Sequence, residues 1–507
     1  TQEITGATTI SASGQDVTLD TSTNNFAAAV GITGANVAVT DEDAIDLGAS
    51  TVSGTYAITA GGAVTDSGTQ EITGATTISA SGQDVTLDTS TNNFAAAVGI
   101  TGANVAVTDE DAIVLGASTV SGTYAVTATA GGDITDTGVL AITGASTLTV
   151  ANGQSITLDS SSTFGGAVSF ASGGTIAGVT INDSGAFDLA ALTISGNLSV
   201  TAGGAVTDSG ALVIPGTTTI AAGSGNNITL DNTSNNFTGA VSITSGNNVT
   251  LVDAGAIVLG ASTVSGTYAV TATAGGDITD TGVLAITGAS TLTVANGQSI
   301  TLDSSSTFGG AVSFASGGTI AGVTINDSGA FDLAALTLSG SLSVTAGGAV
   351  TDSGTLVVPG TATISASGQN ITLDQASSNF GTVSLTGANV AVTDTNAVIL
   401  GASTATGTYA ITAGGAVTDS GTQEITGATT ISASGQDVTL DTSTNNFAAA
   451  VGITGANVAV TDEDAIDLGA STVSGTYAIT AGGAVTDSGT QEITGATTIS
   501  ASGQDVT

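Results

Sequence analysis

Aspartate is the one residue in this chain placed often enough and evenly enough to do chemistry. Asp20, Asp41, Asp66, Asp88 and Asp109 each close a short Val/Ile/Thr/Leu run, and 21 such marks, 20 to 27 residues apart, continue to Asp487. Carboxylates at a steady interval admit two readings. If successive marks stack, they form oxygen-rich rows that suit a hard cation such as calcium and that repel one another without it. Otherwise each Asp closes a corner by accepting from its own following N–H groups, as an Asx turn does. Asp-Ser-Gly and Asp-Thr-Gly are ordinary turn text, and the uneven spacing works against stacked rows, so the turn reading is favoured. The candidate calcium ligands on the first reading are Asp20, Asp41, Glu42, Asp43, Asp46, Asp66, Asp88, Asp109, Asp462 and Asp467. The densest group, Asp41-Glu42-Asp43 with Asp46, lacks the Gly and terminal Glu of an EF-hand loop and also reads as a solvated corner. Its next copy keeps Asp109, Glu110 and Asp111 but has Val114 where Asp46 would be. No cofactor is required by the sequence, and calcium is the one candidate ion.

Other chemistries lack material. The chain has no His, Cys, Lys or Arg, so a serine nucleophile has no ordinary base and a glycine-rich loop has no cation for phosphate. Carboxylate pairs can cleave glycosides, but an enzyme gathers its acids in one cleft, whereas these recur evenly. A formal charge of −41 speaks against nucleic acid, which needs phosphate neutralisation, and against anionic membrane surfaces. No apolar run is long enough for a membrane span. Mean hydropathy is +0.42, far from the signature of a disordered acidic chain.

The elements that must carry these carboxylates are short strands. Val17 with Leu19, Val37 with Val39, and Tyr56 with Ile58 alternate with Thr, Ala and Asn, the period-two pattern of a wall with one apolar face. Strands separated by glycine-rich corners at a period near 23 residues predict a β-solenoid: all-β, a right-handed parallel β-helix of about 22 coils of roughly 23 residues. The Gly-Gly corners (Gly61-Gly62, Gly203-Gly204, Gly275-Gly276) are expected to supply left-handed backbone, and Pro215 and Pro359 to mark strand ends. In Asn24-Asn25-Phe26 and its copies at Phe94, Phe237 and Phe447, an inward Asn and a core Phe are expected.

Three marked segments make a unit, so the chain divides into 1–68, 69–138, 139–210, 211–282, 283–354, 355–421, 422–489 and a partial 490–507, within one continuous solenoid. Thr1–Thr86 is identical to Thr422–Thr507, and Ala112–Gly216 recurs with few changes as Ala256–Gly360. Such identity reads as recent duplication within a longer array.

The text Tyr124-Ala-Val-Thr-Ala-Thr-Ala-Gly-Gly-Asp-Ile-Thr-Asp-Thr-Gly138, followed by Ile-Thr-Gly-Ala-Ser-Thr-Leu-Thr-Val and Ile-Thr-Leu-Asp, resembles the repeat region of large filamentous-haemagglutinin-like surface proteins of bacteria. The resemblance implies an exported, extracellular chain whose β-helical shaft serves adhesion or matrix building. A structural shaft is therefore the leading expectation. The alternatives are a segment that binds a surface ligand directly, and a filament whose rods associate laterally or end to end through calcium. The absence of Lys and Arg also leaves no site for trypsin-like proteases, which suits life outside a cell.

Overall fold

The computed structural model describes residues 1–507 and contains 68 strands and no helix. The chain divides into an N-terminal half, Thr1–Asp253, and a C-terminal half, Ala254–Thr507. Each half is a parallel β-solenoid, and together they hold about 25 turns. In the N-terminal half Val17 pairs with Val37, Val37 with Tyr56, Tyr56 with Thr76 and Thr76 with Val98, every pair parallel. A turn is as short as the step from Val98 to Leu115 and as long as that from Ala221 to Ser245. Most are near 20 residues, shorter than the expected 23, and the turn count is accordingly higher.

The turns run along two large sheets, with a few short strands such as Leu192–Thr193 in a small sheet of their own. In the N-terminal half, sheet I contains Thr8–Ser11, Val30–Gly34, Ile45–Leu47, Val64–Asp66, Val85–Leu87 and Val105–Asp109. Sheet II contains Val17–Leu19, Val37–Asp41, Tyr56–Ala60, Thr76–Ser79 and Val98–Gly102, then Ile113–Leu115. Inward side chains are Val, Ile, Leu, Phe and Tyr, as the alternation requires; Phe26, Phe94 and Phe237 are at most 2% exposed, as are Tyr56 and Tyr124. Burial of this mostly aliphatic surface is the main favourable term in so thin a core, with the aromatic side chains as its largest single pieces.

The two copies of one sequence reveal the phase. From Val37 the stack rises three turns through Tyr56 and Thr76 to Val98, all on sheet II. Val105, the counterpart of Val37, comes half a turn later and pairs on sheet I. A unit of about 70 residues therefore takes three and a half turns, not the three that the Asp marks suggested. Adjacent units present the same text on opposite sheets, and two units make the true structural repeat of seven turns.

Two expectations about corners change. Gly61, Gly62, Gly203 and Gly204 do not have positive φ; they are small because the backbone of the previous turn lies against them, and a Cβ on Gly62 would stand 2.6 Å from the Ala44 nitrogen. Left-handed glycines instead occupy the corner before the Val-Thr-Leu type of strand, such as Gly82 at φ 75°, and Gly275 is the one member of the three pairs that adopts it. Pro215 follows the strand Leu212–Ile214 as expected, whereas Pro359 lies inside Leu356–Ser365. There the register shifts between Val358 and Thr361, so the missing N–H falls at a bulge.

Candidate functional site

The aspartates fall into positional classes, and no class stacks into a carboxylate row. Asp41 pairs with Ala60, and Asp66 with Leu47; Asp109 pairs with Ala128, and Asp136 with Leu115. The half-turn phase moves the marks around the perimeter, so they meet at most in pairs, such as Asp66 with Asp88 and Asp136 with Asp159 one turn on.

One class is a buried clamp. The Phe26 N–H donates to Asp41 Oδ2 at 2.9 Å and the Asp43 N–H donates to Asp41 Oδ1 at 2.9 Å. The same pair of bonds joins Asp109 to Phe94 and Asp111, and Asp462 to Phe447 and Asp464. Asp394 holds Phe380 and Asn396 likewise. These aspartates are at most 2% exposed. Burial with no cation nearby pushes the Asp109 acid up to about 6, with its two N–H donors opposing the rise and Asp111 and Glu110 adding to it. Asp394 and Asp462 are raised for the same first cause.

A second class reaches forward to the next turn. Asp66 Oδ1 accepts the Asp88 N–H, and its Oδ2 accepts the Thr89 N–H and the Asn92 side-chain amide, the last at 2.6 Å. Asp208 with Asn235 and Asp419 with Asn445 repeat the arrangement. Asn92 is wholly buried, and its carbonyl oxygen accepts the Gln70 N–H, so the inward asparagine ties its own turn to the preceding one at two points. A third class lies at the outer corners: Asp16 Oδ1 accepts from the backbone and side chain of Asn36, whose own oxygen accepts from Thr55.

The remaining candidates are surface groups. Asp20, Glu42, Asp43 and Asp88 are exposed, and Asp43 accepts from the Asn25 amide. Half-buried Asp46 accepts from the Ser67 hydroxyl, and Asp467 from that of Ser488. No three carboxylates converge in a group that could hold a metal ion. Most of the carboxylates named as calcium ligands are thus engaged by donors of the chain itself, but only Asp41, Asp109 and Asp462 among them accept from the N–H two residues on as an Asx turn does; Asp46, Asp66 and Asp467 accept from the following turn.

The cavities repeat as the turns do. Shallow clefts of about 230 Å³ beside Asp46, 270 Å³ beside Asp188 and 250 Å³ beside Asp332 share one lining of buried Phe, Ala or Gly and a single carboxylate at the rim. Asp188 is already bonded by the Thr207 and Ser209 hydroxyls. A lone, satisfied carboxylate without a second acid, a base or a nucleophile gives these clefts no catalytic pair.

Sequence reasoning missed one surface feature that the Asp46-to-Val114 change already hinted at. In the N-terminal half Asp46 and Asp188 project from sheet I, while Val114 projects from sheet II. In the C-terminal half Asp332 and Asp467 share one sheet, and Val258 and Ile399 the other. Acid and apolar residues alternate from unit to unit because units alternate between sheets.

Parallel turns, small-residue corners and self-contained aspartate clamps define a tandem-repeat β-solenoid protein. The recurrence extends to recognised family boundaries: segments 1–33, 34–101, 102–171, 177–244, 246–315, 321–386, 387–454 and 455–507 match one family pattern. The chain belongs to that family, described as repeats of unknown function (DUF5649). No curated protein and no solved structure matches the chain.

Proposed function

We propose that this chain is a length of structural shaft in an extracellular bacterial fibre of the filamentous-haemagglutinin-like kind. The observation that carries the reading is that the buried acids and about half of the surface ones are spent on bonds within the chain, largely from one turn to the next, in copies that recur along the chain. Asp41, Asp109 and Asp462 make the same bonds in different units. Such an architecture turns added sequence into added length, since each turn contributes about 4.8 Å. The charge of −41 keeps neighbouring shafts soluble by repulsion, and the lack of Lys and Arg protects them from trypsin-like cleavage. We assign the chain no catalytic activity.

A second reading, direct adhesion through one face, is favoured by the alternation of Asp46 and Asp188 with Val114. Deletions separate the two. Removal of residues 46–187 takes out two units and leaves every downstream residue on its original side. Removal of residues 46–113 takes out one unit and exchanges the sides. A shaft only shortens, by about 34 Å and about 17 Å respectively, and attachment of cells bearing it is unchanged in both. Loss of attachment in the one-unit deletion alone would overturn the shaft reading in favour of a binding face.

A further inference from the structure

The corner before the Val-Thr-Leu type of strand reads Ser-Gly-Gln at Ser13, Ser81, Ser367 and Ser434, but Asn-Gly-Gln at Asn152 and Asn296. The glycine is left-handed in both versions, Gly82 at φ 75° and Gly153 at φ 78°, so the turn itself does not require the asparagine. The asparagine corners differ in what covers them. Over the serine corner at Ser81, the strands Val98–Gly102 and Val105–Asp109 of the next turn are joined by Ala103 and Asn104 alone. Over Asn152, the strands Val168–Ser172 and Val179–Asp183 are joined by residues 173–178, and the added length forms a flap. Its far end is anchored by Ile176, 3% exposed, and by the Ala177 N–H, which donates to the Gln154 carbonyl at 2.8 Å. At its near end the Gly174 N–H donates to Ser172 Oγ at 3.2 Å.

One flap residue holds both halves of the Asn-Gly pair. The Gly153 N–H donates to the Thr175 carbonyl at 2.7 Å, and Asn152 Oδ1 accepts the Thr175 N–H at 2.9 Å and the Thr175 hydroxyl at 3.3 Å. In the C-terminal half Gly297 donates to the Thr319 carbonyl at 2.8 Å, and Asn296 Oδ1 accepts from Thr319 at 2.9 and 3.4 Å. The fit is close: a Cβ on Gly174 or on Gly318 would stand 2.1 Å from the asparagine oxygen. Asn152, Gly153, Asn296 and Gly297 are all exposed, so water reaches the corner while the flap holds it.

Asparagine before glycine is the pair in which a backbone nitrogen most readily attacks a side-chain amide, because glycine puts no side chain in the way and its backbone rotates freely. The pair occurs in this chain at these two places alone. We propose that Asn152-Gly153 and Asn296-Gly297 are self-modification sites that the flap holds closed, and that opening of the turn commits them to deamidation. In the open corner the Gly153 nitrogen bonds to Asn152 Cγ and gives up its proton, the Cγ–Nδ2 bond breaks, and Nδ2 leaves with that proton as ammonia. Water then adds to the succinimide and breaks one of its two ring C–N bonds, which leaves aspartate or isoaspartate. In the closed corner the Gly153 hydrogen is held by the Thr175 carbonyl, and the amide is fixed by the two Thr175 donors, so neither turns into the ring. Isoaspartate adds a carbon to the backbone and carries the N–H of residue 153 away from Thr175, so the flap does not re-seat. Each half of the chain thus carries one irreversible record of having been opened.

The test is mass spectrometry of the full chain after incubation at mildly alkaline pH, folded and in urea. Residues 137–158 and 281–302 are identical and lie between aspartates, so cleavage at Asp releases one peptide that reports both sites through the mass gained when amide becomes carboxyl. The folded chain is expected to deamidate about a hundredfold more slowly than the chain in urea, because three hydrogen bonds to threonine open first. G174A/G318A places a methyl group against the asparagine oxygen without touching the core, and should speed the folded chain about tenfold. N152S/N296S, which copies the serine corners, should abolish the mass gain and so assign it to asparagine rather than to Gln154. Equal rates folded and in urea overturn the proposal. So does a folded G174A/G318A chain that deamidates at the wild-type rate, or a mass gain that persists in N152S/N296S.

Discussion

Residues 37–47 and 105–115 are nearly the same words written on opposite sides of one solenoid. Val37–Asp41 lies on sheet II and is followed by Ile45–Leu47 on sheet I; Val105–Asp109 lies on sheet I and is followed by Ile113–Leu115 on sheet II. Both copies form the same clamp, Asp41 on Phe26 and Asp109 on Phe94, with both bonds of each between 2.8 and 2.9 Å. Local sequence thus decides the turn, and the half-integral number of turns per unit decides the side. The difference between the copies, Asp46 against Val114, is therefore a difference between two faces of the protein and not between two kinds of turn.

That equivalence can be broken most severely at the aromatic anchor. Phe26→Ala and Phe94→Ala each empty a site no more than 2% exposed and should cost about 3–5 kcal/mol, equally in the two copies, by urea denaturation. Next is the clamp. Asp109→Ala leaves the Phe94 and Asp111 N–H groups without an acceptor and should cost about 2–6 kcal/mol at neutral pH, from about 1–3 for each stranded donor. In a solenoid the damage stays near the lesion, so hydrogen exchange should rise in residues 90–115 and not around Asp41.

A milder perturbation is pH itself. Asp109, raised to about 6, favours the folded state fully below the ordinary carboxylate value near 3.8 and ceases to do so above about 6. Relief of repulsion among 41 acids has the same sign. Melting temperature should therefore rise as pH falls from 7 towards 4, opposite to the usual acid denaturation, and D109N should flatten part of that rise. The smallest effect is expected at the face residue: Val114→Asp and Asp46→Val should each change stability by less than about 0.5 kcal/mol. If either alters attachment, the face and not the turn carries recognition.

The sequence made the strands and corners readable because inward Val17, Val37 and Tyr56 alternate with small outward residues. It made the Asx turns readable only in part: Asp183 accepts from the N–H two residues on, whereas Asp66, in the same Asp-Ser-Gly text, accepts from the next turn instead. The phase was not readable. Asp41 ends a five-residue strand, whereas Asp66 ends a three-residue strand that a second short strand, Gln70–Ile72, follows, so equal marks sit at unequal places on the perimeter and counting them undercounts turns. Period-two patterning separates inside from outside, but it is identical on either sheet, and Val37–Asp41 carries no sign of which one it will join. The reach of the inward asparagine was hidden for a related reason: only the stacking of turns shows that Asn92 spans to Asp66.

The central claim is three and a half turns per unit, and a high-resolution cryo-electron microscopy map of the purified chain tests it most directly. Tyr56 and Tyr124 are bulky, buried and 1% exposed each, and they can be located without ambiguity of side. The account predicts their densities on opposite sheets, with three intervening strand steps from Tyr56 to Leu115 and a half turn beyond. Tyrosine densities on the same sheet, a whole number of turns apart, would contradict it.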